Sequence, residues 1–172
     1  MVKELINKFY KSTEFTKLAN RFIADPSLLH ELVEISTSEL QHPFTEYASW
    51  LLIHISKKAP KIIEPFQEQL IDAILISTNQ SVLRNLMNVS VSLNLINYKE
   101  SEFLDKTIEF ISTDSNKVAL YVYAINKLIK FTQKYPEIKT EILGIIELKK
   151  HHEMKPAMKI GIRNYLKETS NF

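Results

Sequence analysis

Residues 47–62 read YASWLLIHISKKAPKI, and the pattern returns 76 residues later as YAINKLIKFTQKYPEI at residues 123–138. Seven aligned positions are identical, namely Tyr47/Tyr123, Ala48/Ala124, Leu52/Leu128, Ile53/Ile129, Lys58/Lys134, Pro60/Pro136 and Ile62/Ile138. Each copy reads as the second half of one helix, a Lys-x-Pro corner and the start of the next helix. Repetition at a fixed spacing is typical of stacked helical hairpins, because each hairpin buries its apolar face against its neighbour.

Composition supports a helical protein without a membrane segment. Two glycines and six prolines in 172 residues are too few for a fold rich in tight turns, and the length fits one domain over residues 1–172. The absence of cysteine excludes disulfides, thiol catalysis and thiolate metal sites, and it is consistent with a reducing compartment. No apolar run is long enough to span a bilayer, and residues 1–20 lack the apolar core of a secretion signal. We therefore predict a cytoplasmic protein with no membrane contact.

Prolines and capping residues divide residues 25–168 into four hairpins. The first helices restart at Pro26, Pro60, Ser101 and Pro136, and the second helices begin near Pro43, Asn79, Asn116 and Lys155. The resulting units of about 34 to 41 residues are in the range of helical solenoid repeats. Residues 1–24 predict two short amphipathic capping helices, the second capped by Ser12 or Thr13. The predicted fold is all-α, an α-α superhelix of about five helical hairpins.

One segment supports two interpretations. Residues 89–95, VSVSLNL, alternate apolar and polar side chains as a half-buried strand does. At helical spacing, one face also carries Val82, Leu86, Val89, Leu93 and Ile96. We predict a helix, because a lone strand would leave its backbone amides and carbonyls without partners.

Two further expectations concern single helices. Pro65 lies inside an apolar helical pattern, so we expect a kink there or a helix that begins near Glu64. The last helix, residues 156–167, is expected to bury Ala157, Ile160 and Leu166.

The packing pattern resembles that of HEAT-repeat proteins, and more closely that of a group of small HEAT-like bacterial proteins of unassigned function. The stretches that carry the resemblance are ASWLLIHISKKAPKIIEPFQEQLI (48–71), LRNLM (83–87), VALYVYAINKLIKFTQKYPEIKTEI (118–142) and KIGIRNYLK (159–167). The resemblance implies a short HEAT-like, armadillo-like solenoid. The same architecture is related to that of alkylpurine DNA glycosylases, whose concave face holds damaged DNA with aromatic and basic residues beside an acidic one. The chain has a single tryptophan, Trp50.

In such a stack the second helices line the concave side, where partners bind. We expect a strip on this side with aromatic residues at one end and basic residues at the other. It comprises Tyr47, Trp50, His54, Arg84, Asn88, Tyr123, Lys127, Lys130, Lys155, Lys159 and Arg163. A strip of this kind fits an acidic peptide or a nucleic-acid backbone. The alternative is that the aromatic residues pack between hairpins and the lysines are only solvated.

The distribution of charge agrees with a basic end. Residues 1–114 hold 11 basic and 15 acidic side chains, whereas residues 115–172 hold 11 basic and 5 acidic ones. Such asymmetry can mark a surface for acidic partners, and it can equally arise from scattered lysines that keep a protein soluble.

No residue pattern indicates a reaction, a cofactor or a metal. Residues 151–153, His-His-Glu, are adjacent, and adjacent helical residues point about 100° apart, so they do not share one metal. His54 has no acid or base partner in the sequence, and Gly-rich phosphate loops, G-x-S-x-G and H-E-x-x-H are absent. We predict a non-enzymatic module that binds a protein or peptide. The alternatives are an enzyme and a nucleic-acid binder that contacts phosphates with Arg84, Lys127, Lys130, Lys159 and Arg163.

Overall fold

The structure is a computed structural model that describes residues 1–9, 14–40, 42–150 and 154–171. Over these ranges it contains ten α-helices, three short 3-10 helices and no β-strand. The all-α prediction is confirmed. The chain divides into two compact units, Met1–Leu93 and Asn94–Phe172, called unit 1 and unit 2 below. The interpretation of residues 1–172 as one domain stays a prediction.

Unit 1 is built around one central helix. The helices in its described part are α1 (Val2–Phe9), α2 (Phe15–Ala24), α3 (Pro26–Ser36), α4 (Phe44–Lys58), α5 (Gln67–Ile76) and α6 (Gln80–Ser92). The 3-10 helices Pro60–Ile62 and Glu64–Phe66 connect α4 to α5. Helix α4 packs against α2, α3 and α6, and its Leu51, Leu52 and Ile55 are fully buried.

Unit 2 follows the same plan. Its described helices are α7 (Glu100–Ser112), α8 (Val118–Lys134), α9 (Lys139–Lys150) and α10 (Pro156–Glu168), with a 3-10 helix at Pro136–Ile138. Helix α8 is the central element and packs against α7 and α10. Leu120, Ala124 and Leu128 line its fully buried face.

Side-chain hydrogen bonds cap the helices that begin after Asp25 and Asn79. The Asp25 carboxylate accepts hydrogen bonds from two free amides of α3, at 3.0 and 3.2 Å, and Pro26 follows at the first helical position. The Asn79 side chain accepts in the same way from two amides of α6, at 2.9 and 3.3 Å. Ser12 and Thr13, expected to cap α2, lie outside the described residues.

The 76-residue spacing holds for the helix ends as well as for the sequence. Helices α6 and α10 begin and end 76 positions apart, at 80–92 and 156–168. Helices α3 and α7 end at equivalent positions, as do α4 and α8. Two consecutive hairpins therefore form the repeated unit.

The Lys-x-Pro corner has the same backbone bonds in both copies. The Ala59 amide donates to the Ile55 carbonyl at 2.8 Å, and the Tyr135 amide donates to the Phe131 carbonyl at 2.7 Å. A 3-10 turn opens with proline immediately after each of these residues. The identical residues at the two corners thus specify one local geometry twice.

The structure answers the two local questions raised by residues 89–95 and by Pro65. Helix α6 extends to Ser92, which confirms the helical interpretation of 89–92, whereas residues 93–95 follow the helix. Pro65 lies in the second 3-10 turn, and α5 begins two residues later at Gln67. Proline lacks the amide that a regular helix needs, so the α-helix starts only after it.

The predicted register of the last helix was wrong. Ala157 is exposed, and Ile160 and Leu166 are 55% and 45% exposed. The buried face of α10 carries Gly161, Ile162 and Tyr165 instead. Glycine allows α10 to approach α8 closely, and the Tyr165 hydroxyl shares a 2.8 Å hydrogen bond with the Thr132 hydroxyl of α8. This polar and steric fit decides which face turns inward.

Candidate functional site

Three of the eleven predicted site residues meet in one cleft of unit 1. Tyr47 and Trp50 from α4 and Arg84 from α6 line a shallow cleft of about 260 Å³. The other lining residues are His42, Pro43, Glu46, Ser81 and Asn85. The cleft lies where the first turns of α4 and α6 adjoin, and it is called the aromatic cleft below.

Trp50 is held in place by other rings. Its ring centroid lies 5.3 Å from that of Tyr47 in a stacked arrangement and 5.2 Å from that of Phe15 in an edge-to-face arrangement. Tyr47 is buried and its hydroxyl donates to the Phe9 carbonyl at 3.0 Å. Trp50 itself is half-buried, so part of a rigidly supported indole faces the cleft.

His54 belongs to the packing rather than to the cleft. Its ring lies 4.4 Å from the Trp50 ring and 4.7 Å from the Phe15 ring, and it is half-buried. Burial lowers its pKa, with Lys57 and Lys58 adding repulsion. Its Nε2 atom is buried and has no hydrogen-bond partner among the described residues. Packing between hairpins, the alternative expected for the aromatic residues, accounts for the ring contacts of His54.

A polar network lies under the cleft. The Asn85 amide donates to the Glu46 carbonyl at 3.1 Å and to the Ser49 hydroxyl at 3.0 Å, so it joins α6 to α4. Its side-chain oxygen accepts from Arg84 Nε at 3.2 Å and Nη2 at 3.1 Å, which fixes the guanidinium. Asn85 was not among the predicted site residues, although its place beside the apolar positions of α6 is a sequence signal for such a role.

Glu46 supplies a carboxylate that the sequence analysis also missed. Its Oε1 accepts from the Asn79 amide at 2.9 Å, and its Oε2 lies 3.6 Å from His42 Nδ1. Oε2 is buried and makes no hydrogen bond within the part of the chain that the structure describes. The spacing of His42 and Glu46, four residues apart, is the only sequence signal for this pair.

The basic residues of unit 2 are divided between core and surface. Lys159 and Arg163 are exposed one turn apart on α10, and Lys155 is exposed at its N-cap. Tyr123 and Lys130 are half-buried on α8. Asn88 of unit 1 is half-buried on α6 and does not line the aromatic cleft. The strip of eleven residues as a whole stays a prediction.

Lys127 is not a surface cation. Only 2% of it is exposed, and its ammonium lies 5.7 Å from the centroid of the Phe103 ring. Burial, with repulsion from Lys130, lowers the pKa of the Lys127 ammonium to about 7. Its position corresponds to Leu51 in unit 1, so the helix face directs it inward and its aliphatic stem packs in the core.

Within the described ranges, no helix is both long and apolar enough to cross a membrane. The same ranges contain no group of three or more His, Cys, Asp or Glu side chains that could hold a metal ion. The pair His151-His152 lies outside them.

The helical hairpins repeat at a fixed spacing, and their proline corners have the same geometry. This pattern is typical of helical solenoid repeats. The HEAT repeat domain model matches residues 2–169. The chain belongs to the HEAT repeat domain family. No curated protein and no solved structure matches it. Membership in a HEAT repeat family indicates a helical scaffold or binding module, because stacked hairpins present extended surfaces to other molecules.

Proposed function

We propose that this HEAT repeat domain binds a protein or peptide partner and that the aromatic cleft of unit 1 holds an anchor side chain of that partner. The observation that carries the proposal is the meeting of Trp50, Tyr47 and Arg84 in one cleft. These three residue types dominate the binding energy of measured protein interfaces.

The cleft is organised before any partner arrives. Trp50 rests on Tyr47 and Phe15, and Arg84 is fixed by Asn85. Binding therefore costs little side-chain entropy at these positions. Glu46 also lines the cleft, and its buried Oε2 is an acceptor without a hydrogen bond among the described residues. A partner side chain with an N–H donor and a flat or aliphatic body would satisfy that acceptor and cover Trp50.

The exposed cations of α10 in unit 2 offer a second contact area. Lys159 and Arg163 lie on one face of the helix, one turn apart. An acidic segment of a partner would be attracted there, mainly through the rate of association.

The nucleic-acid alternative has less support. Lys127 is buried, its pKa is lowered to about 7, and burial also lowers the pKa of Lys130. Arg84 is half-buried and bonded to Asn85. Of the five cations assigned to phosphates, Lys159 and Arg163 alone are exposed in the described chain.

Selection of displayed random peptides tests the proposal. Peptides selected on the full chain should lose at least about tenfold in affinity when Trp50→Ala or Arg84→Ala replaces the wild type. Asn126→Ala changes the position of unit 2 that is equivalent to Trp50, and it should leave affinity unchanged. A thermal melt identifies any variant that fails to fold. If Trp50→Ala does not fold, Arg84→Ala alone provides the test.

Two results would overturn the proposal. One is undiminished peptide affinity in folded Trp50→Ala and Arg84→Ala variants. The other is tight binding of a generic DNA duplex at low salt that weakens steeply as salt rises and is lost in Lys159→Glu/Arg163→Glu, which would favour the nucleic-acid alternative.

A further inference from the structure

Each unit contains a cavity at the same place in its repeat. In unit 1 a cavity of about 300 Å³ lies between the corner that follows α3 and the corner that follows α5. In unit 2 a cavity of about 330 Å³ lies between the corner that follows α7 and the start of α10. Apart from Val118, every lining residue of the second cavity lies 76 positions after a lining residue of the first. The repeat therefore produces two cavities of one origin, and their side chains can be compared position by position.

The first difference concerns a hydroxyl group. In unit 1, Thr45 is buried and its hydroxyl donates to the Leu40 carbonyl at 3.0 Å. In unit 2 the equivalent residue is Tyr121, which is 3% exposed. The Tyr121 hydroxyl is buried and has no hydrogen-bond partner among the residues that the structure describes. A buried hydroxyl without a partner is costly, and such groups in folded proteins call for an explanation.

The second difference concerns a cation. Ala73 of the unit 1 cavity is replaced in unit 2 by Lys149, whose side chain is almost entirely buried. The Lys149 ammonium is paired with the carboxylate of Asp114, whose side chain is 73% exposed. The lining of the unit 2 cavity thus includes a lysine and a tyrosine, where unit 1 has an alanine and a threonine whose hydroxyl is hydrogen-bonded.

The third difference concerns the apolar wall. Thr78 and Val82 of the unit 1 cavity become Met154 and Met158 in unit 2. Methionine is flexible and polarizable, so it adapts to the shape of an aliphatic or irregular ligand.

We propose that the unit 2 cavity is a binding site for an acidic side chain of the partner protein. The incoming carboxylate accepts hydrogen bonds from the Tyr121 hydroxyl and the Lys149 ammonium, and the methylene groups next to it pack against Met154 and Met158. A carboxylate is the class of ligand that fits, because Asp114 already places one on this ammonium. The Asp114 side chain is largely in solvent, so water can hydrate its carboxylate when the ligand displaces it from Lys149.

This proposal depends on the proposed function in one respect only, namely that the acidic side chain belongs to a protein partner. The aromatic cleft and this cavity lie in different units and share no residue. A failure at one site therefore leaves the test of the other intact.

Methionine methyl NMR tests the site directly. The chain has four methionines, so ¹³C-methyl labelling gives a simple spectrum. Met154 and Met158 report on the cavity, and the fully buried Met87 of unit 1 is the internal control. The probes are acetyl-Leu-Glu-amide, its matched control acetyl-Leu-Gln-amide and acetyl-Leu-phosphoserine-amide, each titrated into the millimolar range. We expect the glutamate probe to shift the two cavity methyls in a saturable way, while Met87 does not move.

Two variants separate a ligand role from a structural role. Tyr121→Phe removes a hydroxyl that has no hydrogen-bond partner among the described residues. The melting temperature of the variant should therefore be unchanged or higher, whereas its affinity for the glutamate probe falls at least about fivefold. Lys149→Met keeps the buried stem and removes the charge, and it should abolish the response. Thr45→Val, at the unit 1 position equivalent to Tyr121, is the matched control and should leave probe affinity unchanged.

Several outcomes would overturn the proposal. A glutamate probe that shifts neither cavity methyl removes the site. Equal affinity for the glutamine probe would show that the site does not require a carboxylate. Binding of the phosphoserine probe alone would show that the site recognises phosphate instead. Full affinity in Tyr121→Phe would show that the hydroxyl takes no part.

Discussion

The contact between α4 and α6 and the contact between α8 and α10 have the same place in the repeat and different chemistry. In unit 1, Asn85 of α6 donates to the Glu46 carbonyl and the Ser49 hydroxyl of α4. In unit 2 the equivalent residue is Gly161, and it packs against Ile125 and Val122, which lie 76 positions after Ser49 and Glu46. At these positions a polar junction in unit 1 is thus replaced by an apolar junction in unit 2.

The comparison shows what the repeat preserves. The ends of α3, α4 and α6, the proline corners and the packing of the central helix on two neighbours are retained, since these depend on a few prolines, caps and large apolar residues. The side chains at the helix contacts are free to change, provided that each contact is either hydrogen-bonded or closely packed. A binding site can therefore arise in one unit without any trace in the other.

The largest expected loss of stability comes from truncating the equivalent buried leucines of the two units. Leu52 and Leu128 occupy equivalent positions and both are 0% exposed. Leu52→Ala and Leu128→Ala should each lower the free energy of unfolding by about 2 to 5 kcal/mol, because each leaves a cavity. Chemical denaturation measures this. Leu166→Ala, on the exposed side of α10, is the control and should change it by about 0.5 kcal/mol or less.

Lys127→Met makes unit 2 resemble unit 1, which has Leu51 at this position. Burial lowers the pKa of Lys127 to about 7 in the folded chain, whereas the unfolded side chain keeps an ordinary, higher pKa. The penalty for the buried charge is thus fully present below about pH 7 and is relieved as pH rises toward the unfolded pKa. We expect the variant to be more stable by about 1 to 4 kcal/mol near pH 6.

The pH dependence of that gain is the sharper measurement. Between about pH 7 and 10 the stability advantage of Lys127→Met over wild type should shrink by up to about 1.4 kcal/mol per pH unit. Denaturation curves of both proteins across this range test it. A constant difference would show that Lys127 titrates normally and is not buried.

Asn85→Ala tests the polar junction of unit 1. The substitution removes both hydrogen bonds from α6 to α4 and the acceptor of Arg84, so we expect a loss of about 1 to 3 kcal/mol in unfolding free energy. Asn88→Ala, half-buried on the same helix, is the comparison variant and should cost far less. Equal losses of unfolding free energy in Asn85→Ala and Asn88→Ala would mean that the hydrogen bonds between α6 and α4 do not stabilise the fold.

The two glycines test the apolar junction of unit 2. A Cβ at Gly161 would lie 2.9 Å from Ile125 Cγ2, whereas a Cβ at Gly144 would meet nothing within 4 Å. Gly144→Ala should raise stability by about 0.5 to 1 kcal/mol through helix propensity alone. Gly161→Ala gains the same propensity but must displace a β-branched side chain, so we expect a net loss of about 1 kcal/mol. Thermal melts that show the same sign for both would contradict the close approach of α8 and α10.

Much of the fold could be predicted from sequence, because its signals are local. The side-chain oxygens of Asp25 and Asn79 accept hydrogen bonds from amides only two and three residues later, and the proline corners need only the residues beside them. The register of α10 could not be read in this way. Ala157, Ile160 and Leu166 are as apolar as the residues that are buried, and only the fit of Gly161 and Tyr165 against α8 decides between the two faces.

The candidate site was predictable only in part, for the same reason. Trp50 and Arg84 were selected as exposed partners of a helix face, and the structure brings them to one cleft. Lys127 was expected on the concave strip of the second helices, but its position on α8 is a core position. No sequence signal marks the Tyr121 hydroxyl, because whether it finds a partner among the described residues depends on side chains distant along the chain.

The most direct test of the two-unit repeat uses the absence of cysteine in the chain. Single cysteines are placed at two equivalent buried positions, Leu52→Cys and Leu128→Cys, and at two equivalent exposed positions, Lys57→Cys and Gln133→Cys. Thiol labelling of the native proteins should be at least about a hundredfold slower at both buried positions than at both exposed ones. If either buried cysteine reacts as fast as its exposed neighbour, the two stretches do not occupy equivalent places and the repeat is refuted.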